Sequence, residues 1–105
     1  MKILVTGSSG FIGKQFFDNL VKKKYEVYGL SRNPTNNKNI FKFSLSEKNK
    51  IEKCFEKVQF DVVVHLASLV PSNHQIEPTT IFQNCKNTLN LLDCCRKFKI
   101  KKFVF

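Results

Sequence analysis

The sequence predicts an α/β protein on a doubly wound parallel sheet, incomplete at about five strands. Three observations lead to this class. Short β-favouring apolar runs alternate with segments of helical period along all 105 residues. The first run, Ile3-Leu4-Val5, shows no in/out alternation, as expected of a strand covered on both faces. A turn with glycines at Gly7, Gly10 and Gly13 joins that run to the first helical segment.

The elements follow in order. Met1 to Thr6 reads as a strand. From Phe11 the apolar pairs Phe11/Ile12, Phe16/Phe17 and Leu20/Val21 recur at helical spacing, and the helix ends in Lys22-Lys23-Lys24, which suits its dipole. Tyr25 to Leu30 is rich in β-formers and reads as the second strand. Asn33 to Asn39 is a polar loop standing where a crossover helix would be expected. Ile40 to Leu45 reads as a weaker third strand. Ser46-Glu47 opens a helix with Ser46 as N-cap and with Ile51, Cys54, Phe55 and Val58 on one face. Asp61 to Ala67 carries the strongest strand signal. A loop containing Pro71 and Pro78 leads to a long helix, about Thr79 to Phe98, with an expected apolar stripe of Phe82, Cys85, Leu89, Leu92 and Cys95. Lys102 to Phe105 begins a fifth strand. Strand–helix alternation in this order implies βαβ units with right-handed crossovers.

Composition narrows the function classes. No run approaches the ~18 apolar residues of a membrane span. Met1 to Thr6 lacks the layout of a secretion signal, so a cytoplasmic setting is expected. Cys54, Cys85, Cys94 and Cys95 form no C-x-x-C pair and only two His are present, so no metal site is expected. Cys85 and Cys95 are expected to fill core as reduced thiols. The net charge of +10 admits an anionic ligand or a nucleic acid. The lysines nevertheless group at helix ends and edges as solvated charges, and no RNA-recognition aromatics or helix-turn-helix pattern accompany them, which disfavours the nucleic-acid reading.

The glycine turn carries the chemistry. Gly7 permits the sharp exit from the strand, Gly10 lets backbone approach a pyrophosphate, and Gly13 allows close packing of the helix. Free N–H groups and the positive dipole end of that helix then face an anion. With an apolar strand before it and an amphipathic helix after it, the turn reads as a Rossmann-type dinucleotide site. An acid at the end of the second strand would bond the ribose 2′-hydroxyl, whereas an Arg would hold a 2′-phosphate. Here Ser31-Arg32 stands with no acid. A charge-assisted bond contributes roughly 1.5–3 kcal/mol, so Arg32 favours NADP over NAD by about ten- to a hundredfold.

These residues resemble the extended short-chain dehydrogenases/reductases, and within them the NAD-dependent epimerase/dehydratase family. Thr6-Gly7-Ser8-Ser9-Gly10-Phe11-Ile12-Gly13 is similar to the family's T-G-x-x-G-F-I-G. Phe60 to Ser68 is similar to P-D-V-V-I-H-L-A-A. Asn84 to Leu92 is similar to N-V-x-G-T-x-N-L-L, and Lys101 to Phe105 to the V-K-R-F-V-F strand. By this resemblance Gly7, Ser9, Gly10, Phe11 and Ile12 would line the pyrophosphate turn. Ser31 and Arg32 would meet the adenosine ribose, and Leu66, Ala67 and Ser68 would lie beside the cofactor. Asn84 would contact the cofactor too. Ser44-Leu45 stands where the family often has Asp-Leu against the adenine, and Asn87 where it usually has Gly.

The family's Tyr-x-x-x-Lys pair does not occur: Tyr25 is followed at +4 by Gly29 and Tyr28 by Arg32, and both tyrosines fall on a predicted strand. No general acid/base is thus expected, and no catalytic residue is assigned. His65 reads as structural. His74, in the loop after Ser72, could face a substrate. Residues 1–105 are therefore expected to form the N-terminal part of an NAD(P)-binding Rossmann domain. The complete enzyme would be a reductase, epimerase or dehydratase taking a nucleotide-sugar or similar small molecule, with its C-terminal catalytic and substrate part absent. The alternative is a non-catalytic NADPH-binding sensor or partner module. In either case an unpaired apolar sheet edge is expected, which favours a homo-oligomer.

Overall fold

The computed structural model describes residues 1–70 and 77–105. Five strands form one parallel sheet: β1 (Lys2–Thr6), β2 (Glu26–Ser31), β3 (Ile40–Lys42), β4 (Val62–His65) and β5 (Lys102–Val104), in the order β3-β2-β1-β4-β5. The helices are α1 (Phe11–Lys22), α2 (Lys48–Lys57) and α3 (Pro78–Lys97). The predicted α/β sheet of Rossmann type is thus the observed one. Among the described residues no helix is long and apolar enough to cross a membrane.

Pleating assigns the strand residues to two cores. Leu4, Leu30 and Val63 point to the face covered by α2 and α3, where they join Leu45, Ile51, Cys54, Phe55, Phe60, Leu91, Cys94 and Cys95. Ile3, Val5, Val27 and Val64 point to the opposite face and meet Phe17 of α1. The chain runs outward from β1 to β2 and β3, then returns to β4 on the other side of β1. That reversal opens a crevice at the carboxyl ends of β1 and β4, where open α/β sheets bind ligands.

Several expectations need correction. The stripe Phe82, Cys85, Leu89, Leu92 does not face the core: Phe82 is 70% and Leu89 63% exposed, and Cys85 is exposed. The inward face of α3 is instead Asn87, Leu91, Cys94 and Cys95. Leu91, Cys94 and Cys95 join the cluster with Ile51, Cys54 and Phe55 of α2, so the face of α3 that meets α2, and not its most apolar face, is the buried one. Cys85 is therefore no core filler, whereas Cys95 is. Phe11 and Ile12, at the start of α1, are likewise exposed.

Ser46 does not cap α2. Glu47 occupies the N-cap without a side-chain cap bond. Its carboxylate accepts the Ser44 N–H (2.9 Å) and pairs with Lys50, which holds its pKa below the usual carboxylate range, while the Ser46 and Ser44 hydroxyls bond each other. β3 is shorter than expected, ending at Lys42. Tyr25 lies before β2 rather than on it. Pro71, Ser72 and His74 lie outside the described residues. The lysines grouped at Lys22 to Lys24, Lys48 to Lys57 and Lys97 to Lys102 are exposed.

Candidate cofactor cleft

The turn after β1 builds the site from backbone. Gly7 has φ +70°, and a Cβ there would stand 2.8 Å from the Ala67 backbone, so only glycine lets the turn lie this close to the segment after β4. Gly13 is more constrained. A Cβ on it would come within 1.9 Å of the Gly7 carbonyl oxygen, which seats the first turn of α1 directly on the strand exit. The Gly10 N–H closes the turn on the Gly7 carbonyl at 3.0 Å, and the Gly7 N–H is anchored on the Leu30 carbonyl at 3.0 Å.

The first backbone bond into α1 runs from the Lys14 N–H to the Gly10 carbonyl at 2.9 Å. No side chain caps the helix and no acid lies in its first turn. The N–H groups of residues 11 to 13 are thus the orphan donors of a helix start. They carry the positive end of the dipole with no counter-charge from the helix itself.

A cleft of about 230 Å³ lies beside this turn. It is smaller than the roughly 300–1,000 Å³ of most ligand pockets, and so serves as a groove for part of an extended ligand. Four chain segments line it: Gly7, Ser9 and Gly10 from the turn; Leu30, Ser31, Arg32 and Asn33 from the end of β2; Phe43, Ser44 and Leu45 after β3; and Leu66 to Leu69 after β4, with Asn84 and Asn87 of α3. Of the sequence-derived candidates, Gly7, Ser9, Gly10, Ser31, Arg32, Ser44, Leu45, Leu66, Ala67, Ser68 and Asn84 therefore meet in one place. The lining does not include Phe11, Ile12 or Gly13. Phe11 and Ile12 turn exposed side chains away from the core, and Gly13 acts in packing against Gly7.

Leu30, Asn33, Phe43, Leu69 and Asn87 were not singled out by sequence. Asn33 had a signal in its place next to Ser31-Arg32. Its side chain donates to the Ser9 hydroxyl (3.0 Å) and its N–H to the Ser31 hydroxyl (3.1 Å), while Ser9 and Ser31 bond each other at 2.6 Å. The Ser31 hydroxyl thus has two partners within the chain, and among the described residues no carboxylate lines the cleft. Arg32 is exposed beside it.

The far wall is tied to the sheet by neutral hydrogen bonds. Asn84 exchanges two bonds with Leu69, accepting its N–H (2.8 Å) and donating to its carbonyl (3.1 Å). Asn90 donates to the Leu45 carbonyl at 3.0 Å. His65 is buried at the end of β4, between the Thr6 hydroxyl at 2.7 Å and the Thr88 hydroxyl at 3.0 Å. Burial holds its pKa below the ordinary imidazole value. Tyr28 lies away from the cleft and donates its hydroxyl to Glu26 at 2.8 Å, which raises its pKa. Among the described residues no group of three or more His, Cys, Asp or Glu is placed to hold a metal ion.

A family model described as the NAD dependent epimerase/dehydratase family matches residues 3–105. A UDP-glucose 4-epimerase of Pisum sativum is 35% identical over 126 residues, covering 99% of this chain and 35% of that protein. A dTDP-D-glucose 4,6-dehydratase of Dictyostelium discoideum is 31% identical over 121 residues, covering 99% of this chain and 28% of its own length. Among solved structures, the Thermus thermophilus UDP-glucose 4-epimerase in complex with NAD superposes with a TM-score of 0.88 at 29% identity, over all of this chain and 37% of that one. The chain thus spans between 28% and 37% of the length of these proteins.

Proposed function

This chain belongs to the NAD dependent epimerase/dehydratase family, and from that premise we propose that it is the cofactor-binding N-terminal part of a sugar-nucleotide epimerase/dehydratase or reductase, preferring NADP to NAD. One observation carries the reading: an uncapped helix start seated by Gly13 on the Gly7 carbonyl, opening onto a cleft with no carboxylate.

The residues fit a dinucleotide on the chain's own geometry. Gly10 has φ −73° and ψ 173°, a conformation open to any residue, and a Cβ there would meet only the Gly7 carbonyl oxygen, at 3.3 Å. Little within the chain requires glycine at that position. Room for a diphosphate above the turn is a reason that does. The N–H groups of residues 11 to 13 would hold that diphosphate. Ser31, Arg32 and Asn33 would meet the adenosine ribose, with Phe43, Ser44 and Leu45 flanking the adenine. Leu66, Ala67, Ser68 and Asn84 would border the rest of the cofactor. When bound, the dinucleotide supplies a hydride acceptor or donor at its nicotinamide.

The preference for NADP rests on Arg32, next to a Ser31 hydroxyl that already bonds Ser9 and the Asn33 N–H. A 2′-phosphate meets a guanidinium there and no opposing carboxylate. The chain carries no Tyr-x-x-x-Lys pair, so these 105 residues are proposed to bind the cofactor and not to turn over a nucleotide-sugar. Calorimetric titration with NADPH and NADH tests this. NADPH should bind about ten- to a hundredfold more tightly. Equal affinities would refute the preference, and no binding of either would refute the site.

A further inference from the structure

The polar groups behind the cleft form one continuous relay with a defined direction. Thr6 Oγ1 accepts the N–H groups of Leu66 and Ala67, both at 3.2 Å, with the Leu66 N–H shared with the Thr6 carbonyl oxygen at 3.2 Å. Two acceptor positions of a hydroxyl are thereby filled, and its single hydrogen is left for the remaining partner, His65 Nδ1 at 2.7 Å. Nδ1 therefore carries no hydrogen, and Nε2 carries the ring's one. It donates to Thr88 Oγ1 at 3.0 Å, and Thr88 passes its own hydrogen to the Asn84 carbonyl at 2.9 Å. Asn84 then clasps Leu69 through both side-chain atoms. Loop residues 66, 67 and 69 are thus held from both ends of a single chain of bonds. Among the described residues no buried side-chain polar atom is left without a partner.

We infer that His65 is a positioning residue for the proposed cofactor cleft: as the Nε2–H tautomer it fixes the wall formed by residues 66–69 against both β1 and α3. This rests on the reading of the cleft as a cofactor site. The ring touches no cofactor-facing position itself. It is buried, and its other neighbours are the Phe103 and Phe105 rings, at 6.1 and 5.7 Å between centroids. Thr6 and Thr88 are its hydrogen-bond partners, and neither ionises. No charged side chain contributes to its shifted titration, whose cause is burial alone.

A second proton on this ring has nowhere to go. Placed on Nδ1, it would point at the hydrogen of Thr6, and the hydroxyl would have to turn. That rotation takes an acceptor position from the two amides; Leu66 keeps its bond to the Thr6 carbonyl, so Ala67 is the amide set free. The sign follows from the depressed pKa: above the ordinary imidazole range both folded and unfolded chains hold neutral His65, and nothing changes with pH. As pH falls below that range the unfolded or opened chain takes up a proton that the closed wall refuses. Acid therefore loosens the wall.

The test uses the whole chain and NAD, because the 2′-phosphate of NADP would itself titrate near about pH 6. Long-range proton–nitrogen spectra of the free protein should show His65 as the Nε2–H tautomer. In His65→Phe, which keeps a ring and removes both bonds, hydrogen exchange at Ala67 and Leu69 should quicken while Leu66, still bonded to the Thr6 carbonyl, and the amides between β1 and β2 stay protected. NAD affinity of the native chain should be flat from about pH 8 to 7 and fall several-fold by about pH 5.5. His65→Phe should bind about tenfold more weakly at neutral pH, with that acid-dependent loss gone. His65→Asn, which can still accept from Thr6, should recover part of the affinity. An Nδ1–H ring, or unchanged exchange at Ala67 and Leu69 in His65→Phe, overturns the relay whatever NAD does. The expected tautomer and exchange without any binding of NAD or NADP would instead overturn the cofactor reading, and the positioning role with it.

Discussion

The two faces of the sheet are closed in different ways. On the α2/α3 side eleven buried residues form one cluster, with Phe55 meeting Phe60 and Phe98 at centroid distances of 5.2 and 5.6 Å. On the α1 side the cluster has five, and Phe17 is the helix's one fully buried large side chain. Phe11 is 87% exposed, and Ile12, Phe16 and Val21 are exposed as well. The first face is held by side-chain burial. The second is held largely by backbone contact, through the fit of Gly13 against Gly7. The amino end of α1 is thus seated by the glycine turn itself, and its place depends less on how much apolar surface it covers.

Substitutions that separate burial from backbone fit sharpen this contrast. The largest expected effect is on the closed face: Phe55→Ala removes a fully buried ring and should cost about 3–5 kcal/mol in chemical denaturation. A cost near that of a surface substitution would show that the α2/α3 cluster does not carry the fold. Next is Gly13→Ala. The added methyl collides with backbone that cannot yield without moving α1, so a loss near 3 kcal/mol is expected, the upper end of overpacking. NADPH binding should vanish with it. Retained binding would separate the helix start from the site.

Arg32→Ala comes third, lowering NADPH affinity by about ten- to a hundredfold and leaving NADH nearly unchanged. An equal loss for both cofactors would remove the 2′-phosphate from the argument. The thiols probe the closed face without perturbing it. Burial pushes Cys54 and Cys95 up to about 12 and also raises Cys94, whereas Cys85 is exposed. One equivalent should react quickly with an aromatic disulfide reagent, and the other three only on unfolding. The smallest effect belongs to the open face: Phe11→Ser should change stability by no more than about 0.5 kcal/mol, as at other exposed sites. A larger loss would mean that something in solution covers the start of α1.

Much of the cleft was legible because its parts are encoded locally. Glycines at residues 7 and 13 meet a backbone requirement of the turn, and Ser31-Arg32 and Leu66 to Ser68 follow strands whose ends the apolar runs mark. In a parallel sheet all such ends gather on one edge, so Gly7, Ser9, Gly10, Arg32, Ser44 and Asn84 were bound to meet once the strand order held. The contribution of Phe43 and Leu69 depends on where the loops after β3 and β4 settle, and that of Asn87 on which side of α3 turns inward; nothing local specifies either.

The sequence by itself determined the alternation of strands and helices, the parallel sheet and the glycine turn after β1, since each follows from period or from glycine's freedom. The tertiary structure alone decided which side of α3 turns inward. Phe82, Cys85, Leu89 and Leu92 make the stronger apolar stripe, yet Asn87, Leu91, Cys94 and Cys95 are the buried set. It also decided the tautomer of His65, which depends on two threonines lying 59 residues before it and 23 after it in the chain. Periodicity records that a helix has an apolar side. How closely its backbone must approach a sheet, and which hydroxyls then stand opposite a ring nitrogen, are set only when the elements pack together.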